Sequence, residues 1–200
     1  MRYQWLPLDS KHQEIRVLDF DAGAGELPLN GSLRHVYLGA PDAGYETISY
    51  EWGDDSLVAS IWLDDERLRI PASTASALRC MRLPNKSRTL WIDCICIDQH
   101  DDHEKSHQVG IMADIFQNAS RTLMYLDEDN DSSTADRAFD GFAIIYDTLL
   151  SKNIVQPGGD YLNFLTGAFD DWYDLEVCSS IVDNIHLKAV YDILGRTYFR

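Results

Sequence analysis

The stretch Leu90-Trp91-Ile92-Asp93-Cys94-Ile95-Cys96-Ile97 constrains this chain more than any other. Apart from Asp93 every residue in it is apolar. Such a run reads as an inner strand of a sheet covered on both faces, because a half-exposed strand alternates apolar and polar residues. Asp93 interrupts it, on the strand face that would also hold Trp91, Ile95 and Ile97. A buried carboxylate must find donors or keep its proton, since an unpaired buried charge is costly.

The segments around this run predict alternating strands and helices. Residues 13–20 read as a first strand and 21–31 as a Gly- and Pro-containing loop. Residues 33–38 form a second expected strand. A third, Tyr45 to Trp52, is rich in aromatic and β-branched residues and runs into a turn at Gly53. Residues 60–70 read as a hairpin with Asp64-Asp65 at its tip. Pro71 to Leu83 reads as a helix that Ser73 or Thr74 could cap. Glu104 to Gln117 is the best amphipathic pattern, with Val109, Met112, Ala113 and Phe116 at helical spacing. Arg121 to Leu126 is a further short strand. A helix from the capping pattern Ser133-Thr134-Ala135-Asp136 to about Leu150 would turn Phe139, Phe142, Tyr146 and Leu149 inward. Residues 161–194 read as mostly helical. The expected fold is an α/β domain: a largely parallel sheet flanked by helices, with an added β-hairpin and C-terminal helices.

Charge narrows the function classes. The 17 Lys and Arg residues against 33 Asp and Glu give −16 over 200 residues. A field of that sign repels phosphate backbones, so no nucleic-acid partner is expected. Six acids fall in residues 127–140 and six more in 160–183. No run of about 18 apolar residues predicts a membrane span. The start, Met1 to Pro7, lacks the apolar core of a signal peptide, which points to the cytoplasm. Four cysteines in this length fit reduced thiols.

Two segments carry candidate chemistry. The first is Asp93 together with Asp98-Gln99 and Glu104, at the end of the inner strand and the entry to the amphipathic helix. Ligands of open α/β sheets bind beyond the carboxyl ends of strands. The same positions also suit an ordinary helix N-terminus, where acids are favoured. The second is Ile48-Ser49-Tyr50-Glu51-Trp52-Gly53, whose aromatics could form a stacking wall for a flat ring. They could equally be core residues before a turn. Cys94, Cys96, His100, His103 and His107 cluster in sequence, but their spacing matches no zinc pattern, so no metal is expected.

Taken together, these blocks resemble the HET domain, the heterokaryon-incompatibility module of filamentous fungi. Tyr45-Glu46-Thr47-Ile48-Ser49-Tyr50-Glu51-Trp52-Gly53 keeps the family's Tyr-x-x-x-Ser-Tyr-x-Trp-Gly spacing. Leu90 to Gln99, then Glu104 and Gln108-Val109, follow its second block, with Asp98 where Asn is usual. Leu194 to Arg200 looks like the opening of the family's last block. A single HET domain over residues 1–200, with 1–12 as lead-in and its C-terminal end truncated, is the expected organisation.

The resemblance implies a TIR-like, flavodoxin-like sheet and a role in fungal nonself recognition and regulated cell death. It further implies self-association and contact with other domains or receptor proteins of the incompatibility system. Some TIR domains hydrolyse NAD with one catalytic Glu. By that likeness NAD or a related nucleotide would be a substrate, and no cofactor would be needed. Glu104 and Asp93 would be catalytic, with Tyr50, Trp52, Gly53, Asp98 and Gln99 binding substrate. The alternative is a non-catalytic death-signalling module that acts by homotypic assembly.

Overall fold

The computed structural model describes residues 3–126 apart from 42, 54 and 55, together with positions 137, 140, 141, 143, 144, 147 and 151. The chain divides into two compact units, Met1–Asp127 and Glu128–Arg200. In the second unit the described positions are helical. The expected cap at 133–136, the inward residues Phe139, Phe142, Tyr146 and Leu149, and the helices of 161–194 lie outside the described residues.

The first unit holds a seven-stranded sheet. Its strands are β1 (Glu14–Phe20), β2 (Leu29–Tyr37), β3 (Glu46–Ser49), β4 (Val58–Leu63), β5 (Glu66–Pro71), β6 (Arg88–Trp91) and β7 (Thr122–Met124). They lie in the order β5-β4-β2-β1-β6-β3-β7. Four α-helices, α1 (Ala72–Met81), α2 (Asp93–Cys96), α3 (Asp102–Gly110) and α4 (Met112–Asn118), and a short 3-10 helix at Ser10–His12 are the other described elements of this unit.

The sheet is mixed, which corrects the expectation of a largely parallel one. β1 runs antiparallel to β2 and to β6, and β4 antiparallel to β5. β2–β4, β3–β6 and β3–β7 are parallel. The connection between β1 and β2 explains part of this: it is a short loop, and a parallel pair needs a crossover of a dozen or more residues. β2 also begins at Leu29, inside the segment expected to be loop. Gly31 permits that pairing, because a Cβ there would stand 2.6 Å from the Asp19 carbonyl oxygen.

β6 is an inner strand, as its apolar content predicts, but it ends at Trp91. The rest of the apolar run is the helical turn α2, in which the Cys96 N–H donates to the Ile92 carbonyl at 2.9 Å. Leu90, Trp91, Ile92, Ile95, Cys96 and Ile97 are all buried. Burial on every side erases the periodicity that separates a strand from a helix. The amphipathic segment departs from expectation too. Ile111 (φ −104°, ψ 8°) breaks it between α3 and α4. The break rotates the buried face: Val109 is 55% exposed, whereas Gln108 and Ile115 are buried.

The hairpin forms where expected. Asp64 and Asp65 take φ of 48° and 68°, the left-handed pair that a two-residue turn requires and that Asp tolerates. Ile61, Leu63, Leu68 and Ile70 are buried, while Trp62, Arg67 and Arg69 are exposed on the opposite face.

Candidate functional site

Asp93 opens α2 directly after the inner strand, so its carboxylate is carried to the end of the sheet rather than into its middle. It is mostly buried and meets three donors. Trp52 Nε1 donates to Oδ2 at 2.8 Å, Tyr50 Oη to Oδ1 at 3.3 Å, and the Cys94 N–H to Oδ1 at 2.7 Å. Burial raises the carboxyl above its ordinary value, and the Trp52, Cys94 and Tyr50 hydrogen bonds oppose that rise.

The Tyr50–Trp52 segment is fixed from a second side by α1. Thr74 Oγ1 donates to Tyr50 Oη at 2.9 Å and lies 3.2 Å from Cys94 Sγ. Ser73 Oγ donates to the Trp52 carbonyl. Neither residue caps α1, whose N-cap is Pro71 without a side-chain cap bond; this corrects the expected role of Ser73 and Thr74. Gly53 supplies the turn: its φ is +66°, and a Cβ would stand 3.4 Å from Ser73 Cβ. Burial, reinforced by the neighbouring Cys94 and Asp93, pushes the Tyr50 phenol up, so Tyr50 is a neutral donor at physiological pH. Burial likewise pushes the Cys94 and Cys96 thiols to about 12. Neither is a thiolate at neutral pH.

Glu104 occupies a different set of contacts. It lies in the first turn of α3, which Asp101 caps by accepting from the His103 and Glu104 N–H groups at 2.9 and 3.1 Å. Arg16 grips its carboxylate with both terminal nitrogens, Nη1 to Oε1 at 2.6 Å and Nη2 to Oε2 at 2.9 Å. The Asp98 N–H donates to Oε1 at 2.7 Å. Arg16 side-chain exposure is 1%, and its guanidinium also donates to the Cys96 carbonyl at 3.1 Å and to the Leu6 carbonyl. One buried guanidinium thus ties β1, the N-terminal segment, α2 and α3 together.

The seven residues singled out in the sequence therefore fall into two sets. Tyr50, Trp52 and Asp93 meet, with Gly53 as their hinge. Arg16 and the Asp98 backbone N–H meet at Glu104, while the Asp98 carboxylate accepts from the His100 N–H at 3.0 Å. Gln99 stands between them: its Nε2 donates to the Asp93 carbonyl at 3.0 Å and the Ile97 carbonyl at 3.4 Å, while its buried Oε1 has no partner. The carboxylates of Asp93 and Glu104 share no hydrogen-bond partner. Arg16 escaped the sequence reading, and Ser73 and Thr74 entered it as helix caps only, not as partners of this cluster. A charged residue inside the apolar strand 13–20 is a signal that could have found Arg16; a hydroxyl at a helix start carries no comparable sign. Among the described residues no group of three or more His, Cys, Asp or Glu side chains is arranged to hold a metal ion.

Chemically, the first set is a neutral phenol and an indole holding a carboxyl, and the second is a bidentate ion pair. Both fasten the elements around α2.

A comparison with known families spans the same segments. The family model "Heterokaryon incompatibility protein (HET)" matches residues 45–149, a span that starts at Tyr45 and includes every residue of both sets except Arg16. Over 126 residues the chain is 33% identical to heterokaryon incompatibility protein 6, OR allele, of Neurospora crassa. That alignment covers 56% of this chain and 18% of the relative, so the chain spans a small part of the relative's length. No solved structure matches. With more than half of its length under the family model, and with the Tyr50–Trp52–Asp93 cluster inside the matched span, the chain belongs to the heterokaryon incompatibility (HET) family.

Proposed function

We propose that this chain serves fungal nonself recognition as a non-catalytic signalling module whose activation leads to regulated cell death. The observation that carries the non-catalytic reading is the state of its two candidate acids. Asp93 accepts three hydrogen bonds, and Glu104 accepts two from Arg16 and one from the Asp98 N–H, about three of the four acceptor sites that each carboxylate offers. A carboxylate that stabilises an oxocarbenium-like transition state must face the substrate with free lone pairs. Here most of the lone pairs are engaged by the fold. In this reading the Ser-Tyr-x-Trp-Gly and Trp-Ile-Asp blocks hold the module rigid, and recognition belongs to its surface.

A second reading is favoured by one observation, the meeting of Tyr50, Trp52 and Asp93. It is a TIR-like NAD glycohydrolase, with NAD as substrate and Glu104 released from Arg16 on self-association. Incubating the purified protein with NAD at high concentration, with a crowding agent, separates the two. We expect no nicotinamide release above the protein-free blank. Release that disappears in Glu104→Gln, in a variant whose fold is intact by circular dichroism, would reverse the order of the readings. Expression in fungal cells gives the complementary arm, in which folded Glu104→Gln is expected to keep its toxicity.

A further inference from the structure

Two arginines on the outer face of the β4–β5 hairpin differ from the arginines described elsewhere in the first unit. Arg16, Arg34, Arg79, Arg88 and Arg121 each pair with a carboxylate, and Arg82 donates to three carbonyls. Arg67 and Arg69 have no acidic partner, in a chain where acids outnumber bases 33 to 17. The Arg67 Nε donates to Ser60 Oγ at 2.9 Å, which orients the guanidinium and leaves its terminal nitrogens free. Strand alternation puts Arg67 and Arg69 on one face. Register puts Trp62 opposite Arg67 and Ser60 opposite Arg69, with Val58 two residues further along β4. Trp62 is 44% exposed and Val58 47%. Glu66, next to the arginines in sequence, falls on the other face by the same alternation. A groove of about 920 Å³ takes in Trp62, Arg67, Arg69 and His100, with Asp65 and Glu66 lining its turn end.

Two further facts define what fits. β5 is an outermost strand and, among the described residues, pairs only with β4, so one side of its backbone has no strand partner among them. Trp and Arg are also the residues most enriched where protein partners bind tightly. We propose that this edge docks an extended acidic segment of a partner protein, laid along β5 as an added strand. Backbone hydrogen bonds to β5 would supply the pairing. Every second side chain of the segment would then lie beside Arg67 and Arg69, where Asp or Glu gives the favourable cross-strand neighbour. The intervening side chains would extend the apolar face of Leu68 and Ile70. The proposal goes beyond the reading above and holds whether or not the Tyr50–Asp93 site turns over a substrate.

Charged residues also guard edge strands against aggregation. That role needs no exposed indole beside them and predicts no saturable peptide binding. The experiment measures fluorescence anisotropy of a labelled synthetic peptide that alternates Glu with Tyr or Val, titrated with the full chain. Saturable binding at 50 mM salt is expected, weakening about tenfold or more at 300 mM. The pair Arg67→Gln/Arg69→Gln and, separately, Trp62→Ala should each weaken it about tenfold or more. Arg79→Glu on α1 changes the net charge by the same amount as the Gln pair and should leave binding within about twofold. Circular dichroism confirms that each variant is folded. Absence of saturable binding, or equal binding by the Gln pair, overturns the proposal. So does saturation by tripolyphosphate with no peptide binding, which assigns the face to a small polyanion. A dimer in sedimentation that the Gln pair converts to monomer also overturns it, because the occupant is then a second copy.

Discussion

Asp93 and Glu104 look alike in the sequence, one acid inside an apolar run and one shortly after it, yet their surroundings differ. Asp93 is held by neutral donors and feels burial first, so its carboxyl sits above the ordinary value of 3.8. Glu104 faces a guanidinium. The raised Asp93 sets a pH dependence. A carboxyl whose folded pKa exceeds its unfolded one contributes stability below the unfolded value, and that contribution is lost as pH rises through the folded value. Asp93→Asn keeps the shape but sets an amide N–H against one of the donors, at a cost of about 1–3 kcal/mol. The variant has no charge to desolvate, so its deficit relative to the parent should shrink as pH rises. Urea unfolding of both proteins from pH 4 to 7.5 checks this; a deficit that widens with pH would show that Asp93 is stabilised as its anion.

At the scale of elements, the sequence was legible wherever local chemistry decides. The β4–β5 hairpin followed from alternation and an Asp-Asp turn. β1, β3, β7 and α1 lie where their patterns put them, to within a few residues. What escaped was decided by tertiary partners. α2 reads as strand because its residues are buried all round, and the α3–α4 break at Ile111 rotates a face that periodicity placed wrongly. The candidate site was legible as a set of residues but not as a set of contacts. Tyr50 meets Asp93 across 43 positions and Arg16 meets Glu104 across 88, and no local signal reports either separation. Two substitutions test the elements these contacts join. Gly53→Ala forces a Cβ into a positive-φ position beside Ser73 and should cost about 1 kcal/mol or somewhat more. It should also shift Trp52 fluorescence, read against a Trp52→Phe background. Arg16→Met leaves Glu104 buried without its counter-charge and should cost about 3–5 kcal/mol, as should Glu104→Met. The double variant should recover much of that loss. Unfolding free energies of all four proteins in one cycle measure it, and full additivity would mean that the pair is not coupled.

For the whole molecule, short connections set the antiparallel direction of the β1–β2 and β4–β5 pairs, but nothing local sets the direction of pairs that are distant in sequence, such as β1–β6. A pattern of strands alternating with helices fits parallel and mixed sheets alike, and here the β1 pairings tip the balance. Net charge is a property of the same scale, and it opposes compaction. With a net charge of −16, its acids concentrated in residues 127–140 and 160–183, like charges repel over the Debye length, about 30 Å at 10 mM salt and about 8 Å at 150 mM. Salt also weakens exposed ion pairs such as Arg34–Asp19 and Arg79–Glu26, but such pairs contribute only about 0–1 kcal/mol each. The buried Arg16–Glu104 pair is screened far less. Repulsion should therefore dominate, and stability should rise with salt. Each kcal/mol corresponds to about 2–4 °C for a chain of this size, so Tm should climb by a few degrees between 10 and 150 mM sodium chloride. Scanning calorimetry across that range decides it: a falling Tm would mean that paired surface charges, rather than excess acid, set the electrostatic balance of the fold.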